Sequence, residues 1–362
     1  MTWLALATPH QGTVLRRGAL ADGAAEQERF LLAGSVVLEF SRARRATAPL
    51  RLLDLAGQED WPTRLSIEQA PAGGVSVALR QGRTTSRVSV SGWGDCAGRD
   101  LRLTFSWDAP SRRGVLSLEQ LDGGELHQVD FATPQPLPMT IAEQIARPRH
   151  VAGRGAIAAE VNFLGVSDRI EPVGLIAGLA QNTPIDTPGG PVPIERLQPG
   201  DQVITEDSGP QPVRWIGMRE VPALGRFLPV RLRAPYFGLR RDLVVAPEQR
   251  VQIDTVEVEY LFGERRVLVE ARHLVNGVSA LPERHHRTLK LYHVLLDRHE
   301  VLTAAGGRVE SLYIGSIADD PALLGSTILA GMPCPEAPRH SGLACHLLRP
   351  FEAMTLRSVA NA

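Results

Sequence analysis

Two histidines and an aspartate lie close together in the second half of this sequence. His293, Asp297 and His299 occur in the run Tyr292–Leu302, whose pattern is typical of a strand. Because side chains alternate between the two faces of a strand, these three odd-numbered residues are expected to share one face. Imidazole and carboxylate groups on one face predict either a polar reaction cluster or a weak metal site.

The same residues also allow a purely structural interpretation. His293 and His299 would hydrogen-bond to the backbone, and Asp297 would orient them. Glu310 and Ser311, on the following strand, would complete the network. Three ligands on one strand rarely converge on one tetrahedral ion, so we favour this interpretation. We therefore expect no metal and no cofactor.

The first half of the chain is predicted to be β-structure. Apolar and polar residues alternate in several short stretches: Leu101 to Trp107, Val75 to Leu79, Val88 to Val90, and one that opens at Val115. Glycine-containing turns separate these stretches, which is typical of an antiparallel sandwich. We also expect a short helix over Met139–Ile145 and a closing strand near Phe163. The spacing is similar to that of concanavalin-type or laminin-G-like jelly rolls.

Aromatic residues raise the question of a sugar site in this sandwich. Trp61, Trp93, Trp107 and Tyr236 would line such a site by stacking, and sandwiches of this kind often bind carbohydrate or protein surfaces. However, Trp107 fits a core position better, and Trp61 precedes a proline in a predicted loop. A structural partner of the second domain is the simpler interpretation, because fold analogy alone does not establish a function.

Length, charge and cysteine content narrow the possible classes of protein. A chain of 362 residues with a net charge of -1 predicts two domains and gives no reason to expect a nucleic-acid partner. Cys96, Cys334 and Cys345 show no CxxC spacing, so a disulfide framework is not expected, although Cys334 and Cys345 remain a possible pair. Neither a cleavable signal peptide nor a membrane-spanning run is evident, which predicts a soluble protein, cytoplasmic or exported by another route.

Proline and glycine become dense between Pro172 and Pro193, and this shift suggests a domain boundary. We expect a sandwich over residues 1–172, a second β domain over 173–320, and a tail over 321–362 that packs on the second domain. The segment Thr183–Gly217 predicts two strands and a tight turn. Gly189-Gly190 would turn the first strand, and Pro199-Gly200-Asp201 would lead into the next.

These elements resemble, in their order, a bacterial Hint domain, the autoprocessing fold of hedgehog proteins and inteins. The residues that match its opening motifs are Ile194, Leu197, Pro199, Gly200, Asp201, Val203 and Gln211 to Gly217. Three later segments match in order: Val244–Ile253, Val258–Gly277 and Tyr292–Gly315. The resemblance covers about residues 177–315 and implies an all-β second domain with an autoprocessing site.

The resemblance also implies that this site is degenerate. In the family, the thiol of a first cysteine attacks the preceding carbonyl and forms a thioester, and a histidine assists at the scissile amide. Here Gly178 stands at the nucleophile position and Gln249 at the histidine position. Glutamine donates a hydrogen bond but does not shuttle a proton near neutral pH. His293, Asp297 and His299 would then be the remnant of the site.

Three hypotheses about function follow. The second domain is catalytically silent and acts as a scaffold or interaction module, or it still cleaves itself slowly near Gly178, using water or the hydroxyl of Thr183. The third hypothesis is a carbohydrate- or surface-binding protein that acts through its first domain. The natural partner is unknown, with protein and glycan surfaces as the classes considered.

Overall fold

The computed structural model describes residues 2–10, 12–14, 30–41, 48–58, 61–94, 98–146, 157–332 and 336–360. The chain divides into two compact units, Met1–Gly174 and Leu175–Ala362. Cys96 and Cys334 lie outside the described residues, and Cys345 is a free cysteine.

The described part of the first unit is almost entirely β-structure. Its strands are β1 (Trp3–Ala7), β2 (Gly12–Val14), β3 (Phe30–Leu31), β4 (Ala33–Ser41), β5 (Leu50–Gln58), β6 (Pro62–Gln69), β7 (Val75–Gln81), β8 (Thr84–Val90), β9 (Asp100–Asp108), β10 (Arg113–Gln120), β11 (Leu126–Ala132), β12 (Leu137–Pro138) and β13 (Val161–Ser167). One helix, α1 (Met139–Ala146), follows β12 and buries an apolar face.

Two larger antiparallel sheets build this unit, and β3 and β12 form a separate two-stranded sheet. The larger has the strand order β11-β10-β9-β4-β13-β1-β2, and the smaller is the meander β5-β6-β7-β8. Buried residues of both sheets and of α1 form one hydrophobic cluster, which includes Phe40, Leu65, Leu103 and Ile141. Sheet-on-sheet packing of this kind is a sandwich, so the fold predicted for the first half is confirmed. The short helix and the closing strand at Phe163 are also where the sequence predicts them.

The central strands of the larger sheet are buried on both faces, although their sequences alternate. Arg102 on β9 lies directly opposite Glu39 on β4, and its guanidinium donates to Glu39 Oε2 at 3.1 Å with both side chains buried. Ser35 and Ser106 face each other on the same two strands, with 2.8 Å between their hydroxyl oxygens. Buried polar groups require such partners, so the polar face of the sheet is paired internally rather than hydrated.

The second unit contains shorter strands and four of the described helices. The strands are β14 (Leu179–Ala180), β15 (Pro184–Thr187), β16 (Gly190–Pro193), β17 (Gln202–Thr205), β18 (Gly209–Pro212), β19 (Trp215–Pro222), β20 (Val230–Leu232), β21 (Leu243–Val245), β22 (Arg250–Ile253), β23 (Val267–Glu270), β24 (Ala280–Pro282), β25 (Thr288–Leu295), β26 (Val301–Ala304), β27 (Gly307–Glu310) and β28 (His346–Leu347). The helices are α2 (Val256–Phe262), α3 (Ala271–Leu274), α4 (Pro321–Ser326) and α5 (Pro350–Ala360).

These strands form two sheets. One has the order β19-β25-β14-β21-β20-β24; the other has the order β16-β15-β26-β27-β22-β23-β28, with β17 paired to β18 and β26. The hairpin β15–β16 is the one that the Gly189-Gly190 turn predicts, and the strand predicted after Pro199-Gly200-Asp201 is β17, which pairs with β18. Gly190 and Gly209 have φ of 106° and 65°, a backbone region that favours glycine.

The single strand predicted over Tyr292–Leu302 is wrong. The ladder between β19 and β25 ends at the pair Trp215 and Leu295, and the chain then crosses to the other sheet before β26 begins at Val301. The connecting residues include the polar bend at Asp297 and Arg298. Period-two alternation therefore does not extend from His293 to His299.

The C-terminal segment completes the core of the second unit. β28 pairs with β23 in parallel, and α5 packs against α2 and α3. Leu348, Ala353 and Leu356 are buried within the same cluster as Val251 and Val269 of the second sheet.

Truncation of the buried leucine of α5 tests this contribution. We expect Leu356→Ala to lower the free energy of unfolding of the second unit by about 2–4 kcal/mol, because the substitution removes buried methyl groups and leaves a cavity. The matched control on the same helix is Met354→Ala, whose side chain is exposed and which should change stability by no more than about 0.5 kcal/mol. Urea unfolding measures both; equal effects would contradict the packing of α5.

Candidate functional site

Gly178 lies directly before β14, which runs between two neighbouring strands. The next residue, Leu179, pairs with Tyr292 of β25 on one side and Val245 of β21 on the other. A Cβ atom added to Gly178 would lie 3.1 Å from Cε1 of His293. The side chain of any other residue at position 178 would therefore start against the imidazole of His293.

His293 is buried on β25, opposite Gly217 of β19. Neither ring nitrogen has a well-aligned hydrogen bond to the described residues. Burial lowers the pKa of His293 to about 3, and the positive charge of Arg219 acts in the same direction. A backbone contact with Ala177 opposes this shift. Because both N–H groups of an imidazolium are donors, a backbone hydrogen bond that favours the charged form is accepted by the carbonyl oxygen, here that of Ala177. The imidazole is therefore neutral near pH 7 and adjoins the carbonyl that precedes Gly178.

Gln249 is buried in the turn that precedes β22. Its Nε2 donates to the backbone carbonyl of Glu310 at 3.1 Å and to that of Arg250 at 3.3 Å. Gln249, Gly178 and His293 line one small cavity of about 10 Å³, which is close to the volume that one water molecule requires. The structure thus brings these three predicted residues together. The Gln249 amide is held there by its hydrogen bonds to the two backbone carbonyls.

His299 belongs to a different buried cluster, together with Glu310. The backbone N–H of Ala344 donates to His299 Nδ1 at 2.9 Å, so Nδ1 is an acceptor and Nε2 carries the proton. His299 Nε2 donates to Glu310 Oε2 at 3.0 Å, and that carboxylate also binds the Arg250 guanidinium. Ser311 Oγ accepts from the backbone N–H of Glu300, as part of the same region. This cluster anchors the C-terminal segment at Ala344.

Asp297 joins neither histidine. Its carboxylate is largely exposed and pairs with Arg214 Nε at 2.8 Å. The expectation that Asp297 shares a face with His293 and His299 is wrong, because the strand ends before Asp297. Within the described part of the chain, no group of three or more His, Cys, Asp or Glu side chains is placed to hold a metal ion.

Arg219 is a site residue that sequence reasoning missed. Arg219 is buried with its guanidinium 5.0 Å from the centroid of the Phe227 ring, and its positive charge acts on His293, whereas its neighbour Met218 is exposed. From polarity alone, Arg219 would be expected at the surface and Met218 in the interior. Only the pairing of β19 with β25, which puts Gly217 opposite His293, would have placed Arg219 on the face of this site.

The comparison with protein families decides what this unit is. The family described as the Hint domain matches residues 177–316. This part of the chain is a Hint domain. The match begins one residue before Gly178, so the small cavity beside His293 lies at the first residues of the Hint domain. The resemblance recognised in the sequence is confirmed, and so is the fold class.

Solved structures show weaker likenesses. The gp41-1 intein is 13% identical, with coverage of 38% of this chain and 98% of the intein and a TM-score of 0.24. The CBM40 of the Ruminococcus gnavus IT-sialidase is 13% identical, with coverage of 39% and 79% and a TM-score of 0.27. Tailspike protein 2 of the Escherichia coli O157:H7 bacteriophage CAB120 is 12% identical, with coverage of 38% and 20% and a TM-score of 0.27. None of the curated proteins matches this sequence.

The aromatic residues considered for a sugar site do not form one platform. Trp107 is fully buried and its Nε1 donates to the Leu31 carbonyl, so its predicted core position is confirmed. Trp61 stacks on Phe30 and is partly exposed, whereas Trp93 stacks on His127. Tyr236 belongs to the second unit. No helix of the described residues is long and apolar enough to cross a membrane.

The depressed pKa of His293 predicts how stability depends on pH. The native imidazole binds a proton only near pH 3, whereas the unfolded chain binds one near pH 6.5. The free energy of unfolding therefore includes a contribution from neutral His293 that is fully present above pH 6.5 and is lost as the pH falls towards 3. At pH 5 the loss is about 2 kcal/mol. Urea unfolding at pH 7 and pH 5 should show this loss in the unchanged protein and a smaller loss in His293→Gln. The exposed His286→Gln is the matched control; if all three proteins lose the same stability, His293 is not neutral and buried.

Proposed function

We propose that the Hint domain of this protein does not cleave its own chain and acts as a scaffold or interaction module. The observation that carries this proposal is the absence of a side chain at position 178, where a Cβ would adjoin His293. Self-cleavage of this type starts when a nucleophile attacks the carbonyl carbon of the preceding residue, here Ala177. Glycine offers no such atom.

Thr183 does not replace the missing nucleophile. In an acyl shift through a five-membered ring, a hydroxyl attacks the carbonyl directly before its own residue, which for Thr183 is that of Asn182. The hydroxyl of Thr183 is also buried and donates to the Ala180 carbonyl at 2.7 Å. It stabilises the turn between β14 and β15, and an attack would require that hydrogen bond to break.

Gln249 supports the same conclusion at the second position. A residue that assists cleavage must transfer a proton to the departing nitrogen, because this nitrogen leaves the tetrahedral intermediate as an amine. The N–H protons of the Gln249 amide are not acidic enough to be transferred near pH 7, and its Nε2 donates one of them in a hydrogen bond to the Glu310 backbone carbonyl. His293 remains beside the Ala177 carbonyl as a neutral imidazole.

An interaction role has support from the surface of the second unit. Val256 and Tyr260 on α2 are more than four-fifths exposed, at 81% and 86%. Phe351 and Met354 on α5, which packs against α2, are also exposed. Exposed apolar side chains that cluster on neighbouring elements are typical of protein–protein contacts.

The absence of cleavage is tested by intact mass. After long incubation with dithiothreitol at pH 7, we expect only the full-length species of 39.3 kDa, because no thioester forms at Ala177. Hydroxylamine, which cleaves thioesters and oxygen esters, provides a second condition. Fragments that span residues 1–177 and 178–362 would contradict the proposal.

Introducing the cysteine and the histidine of the family tests whether Gly178 and Gln249 are the substitutions that prevent self-cleavage. We expect Gly178→Cys combined with Gln249→His to release residues 1–177 in a thiol-dependent reaction. The thiol of the introduced cysteine would form a C–S bond to the Ala177 carbonyl carbon, the C–N bond to residue 178 would break, and the freed amine would take the thiol proton. The added thiol would then attack this thioester and displace the cysteine sulfur, which releases residues 1–177 as a thioester of the added thiol. The added Cβ is 3.1 Å from Cε1 of His293, so the neighbours must move by only a few tenths of an ångström.

The matched control for this experiment is Gly178→Ala combined with Gln249→His. It introduces the same Cβ and the same imidazole but no thiol, so it should remain intact. If the cysteine variant folds, as judged by circular dichroism, and also remains intact, Gly178 and Gln249 are not the positions that the lost reaction used.

A further inference from the structure

A second cavity in the Hint unit is much larger than the one beside His293. Its volume is about 450 Å³, and the two cavities share no lining residue. Its walls come from five segments: the turn at Tyr236–Gly238, the residues at the end of β22, the stretch between α3 and β24, the turn between β26 and β27, and α5. An apolar cavity of about 150 Å³ is sufficient to bind benzene, so this cavity has room for a molecule of more than one ring.

Part of the lining is apolar. Phe237, Ile253, Leu274 and Leu356 contribute this apolar surface, and Val278 lies at the rim with about half of its side chain exposed. Small-molecule sites in proteins combine an apolar wall of this kind with a few polar groups at fixed positions. The cavity therefore suits a ligand with an aromatic or otherwise apolar body.

The charged groups of the lining point to one anionic group on that ligand. Arg308 is neutralised, because its Nη1 pairs with Asp254 at 2.5 Å and its Nε pairs with Glu206 at 2.8 Å. Arg357 has no acidic partner among the residues that the structure describes; its Nη1 donates only to the Val275 carbonyl, at 2.7 Å. The other nitrogens of this guanidinium keep their donors, and a guanidinium pairs preferentially with carboxylate, sulfonate or phosphate oxygens.

One lining segment, the turn at Tyr236–Gly238, is held in an unusual conformation. Phe237 has φ of 58°, in the left-handed region that a bulky side chain rarely adopts. The turn that contains Phe237 packs closely on the next wall, since a Cβ at Gly306 would lie 3.0 Å from the Gly238 carbonyl oxygen. Backbone outliers of this kind cluster at ligand sites, where the surrounding structure keeps them in place.

We propose that this cavity binds a small amphipathic anion, with its apolar body against Phe237 and Leu356 and its anionic group on Arg357. The site is separate from the His293 cavity, so it does not depend on whether the domain cleaves itself.

Anilinonaphthalene sulfonate and its uncharged analogue N-phenylnaphthylamine are suitable probes, because they share an aromatic body and differ in the anionic group. We expect each to bind the full-length protein at one saturable site by fluorescence titration. Arg357→Gln should lower the affinity for the sulfonate probe by about tenfold or more and the affinity for the neutral probe by less than about twofold, since only the sulfonate loses a charged hydrogen bond. Arg349→Gln, the same charge change just before α5 and outside the cavity, should leave both probes unchanged.

Blocking the cavity provides an independent measurement. Val278→Trp adds a large side chain at an exposed rim position and should lower the affinity for both probes by about tenfold or more. Circular dichroism should show that the fold is retained, because the substituted side chain is exposed. Two outcomes overturn the proposal: both probes keep their affinity in Val278→Trp, or both lose the same affinity in Arg357→Gln. The first would place the probes on the exposed apolar residues of α2 and α5, and the second would remove Arg357 as the anion contact.

Discussion

The second unit is organised around the buried carboxylate of Glu310. Its two oxygens accept from the backbone N–H and the guanidinium of Arg250 and from the imidazole of His299. Its backbone carbonyl accepts from Gln249. A buried carboxylate without such partners would cost several kcal/mol, so the strands that carry these partners must meet at one place. β22, β27 and the crossing that precedes β26 are thereby fixed together, and Ala344 is fixed to them through His299.

Most of the fold follows from local patterns, and the exceptions have physical reasons. Glycine turns and period-two alternation correctly predict β7, β15, β16 and β17, because these elements depend on local backbone preferences and on one buried face. The run from His293 to His299 misleads because the chain changes sheets within it, at the polar bend of Asp297 and Arg298. The central strand β9 is where the alternation predicts it, but the alternation does not show that its polar residue Arg102 is paired inside the unit.

The candidate site was predictable only in part for a related reason. Family motifs indicate Gly178 and Gln249, and the structure places both beside His293 in one small cavity. Arg219 and the carbonyl of Ala177 also act on His293. Arg219 is placed there by the register between β19 and β25, and the Ala177 group is a backbone atom. Neither leaves a pattern in side-chain types. The larger cavity could not be predicted from the sequence either, because its walls come from five segments that are far apart along the chain.

The ion pair between Arg102 and Glu39 also has a consequence for the assembly of the sandwich. These residues are directly opposite each other across β4 and β9, and Glu119 faces Arg102 from β10, so the charges form a row across three strands. A slip of β9 by two residues would preserve the alternation of apolar side chains but would place Arg102 opposite Val37. Such a misaligned sheet would leave a buried guanidinium without its carboxylate, at a cost of about 3–5 kcal/mol. The row of charges therefore selects one alignment among several that hydrophobic burial alone would accept.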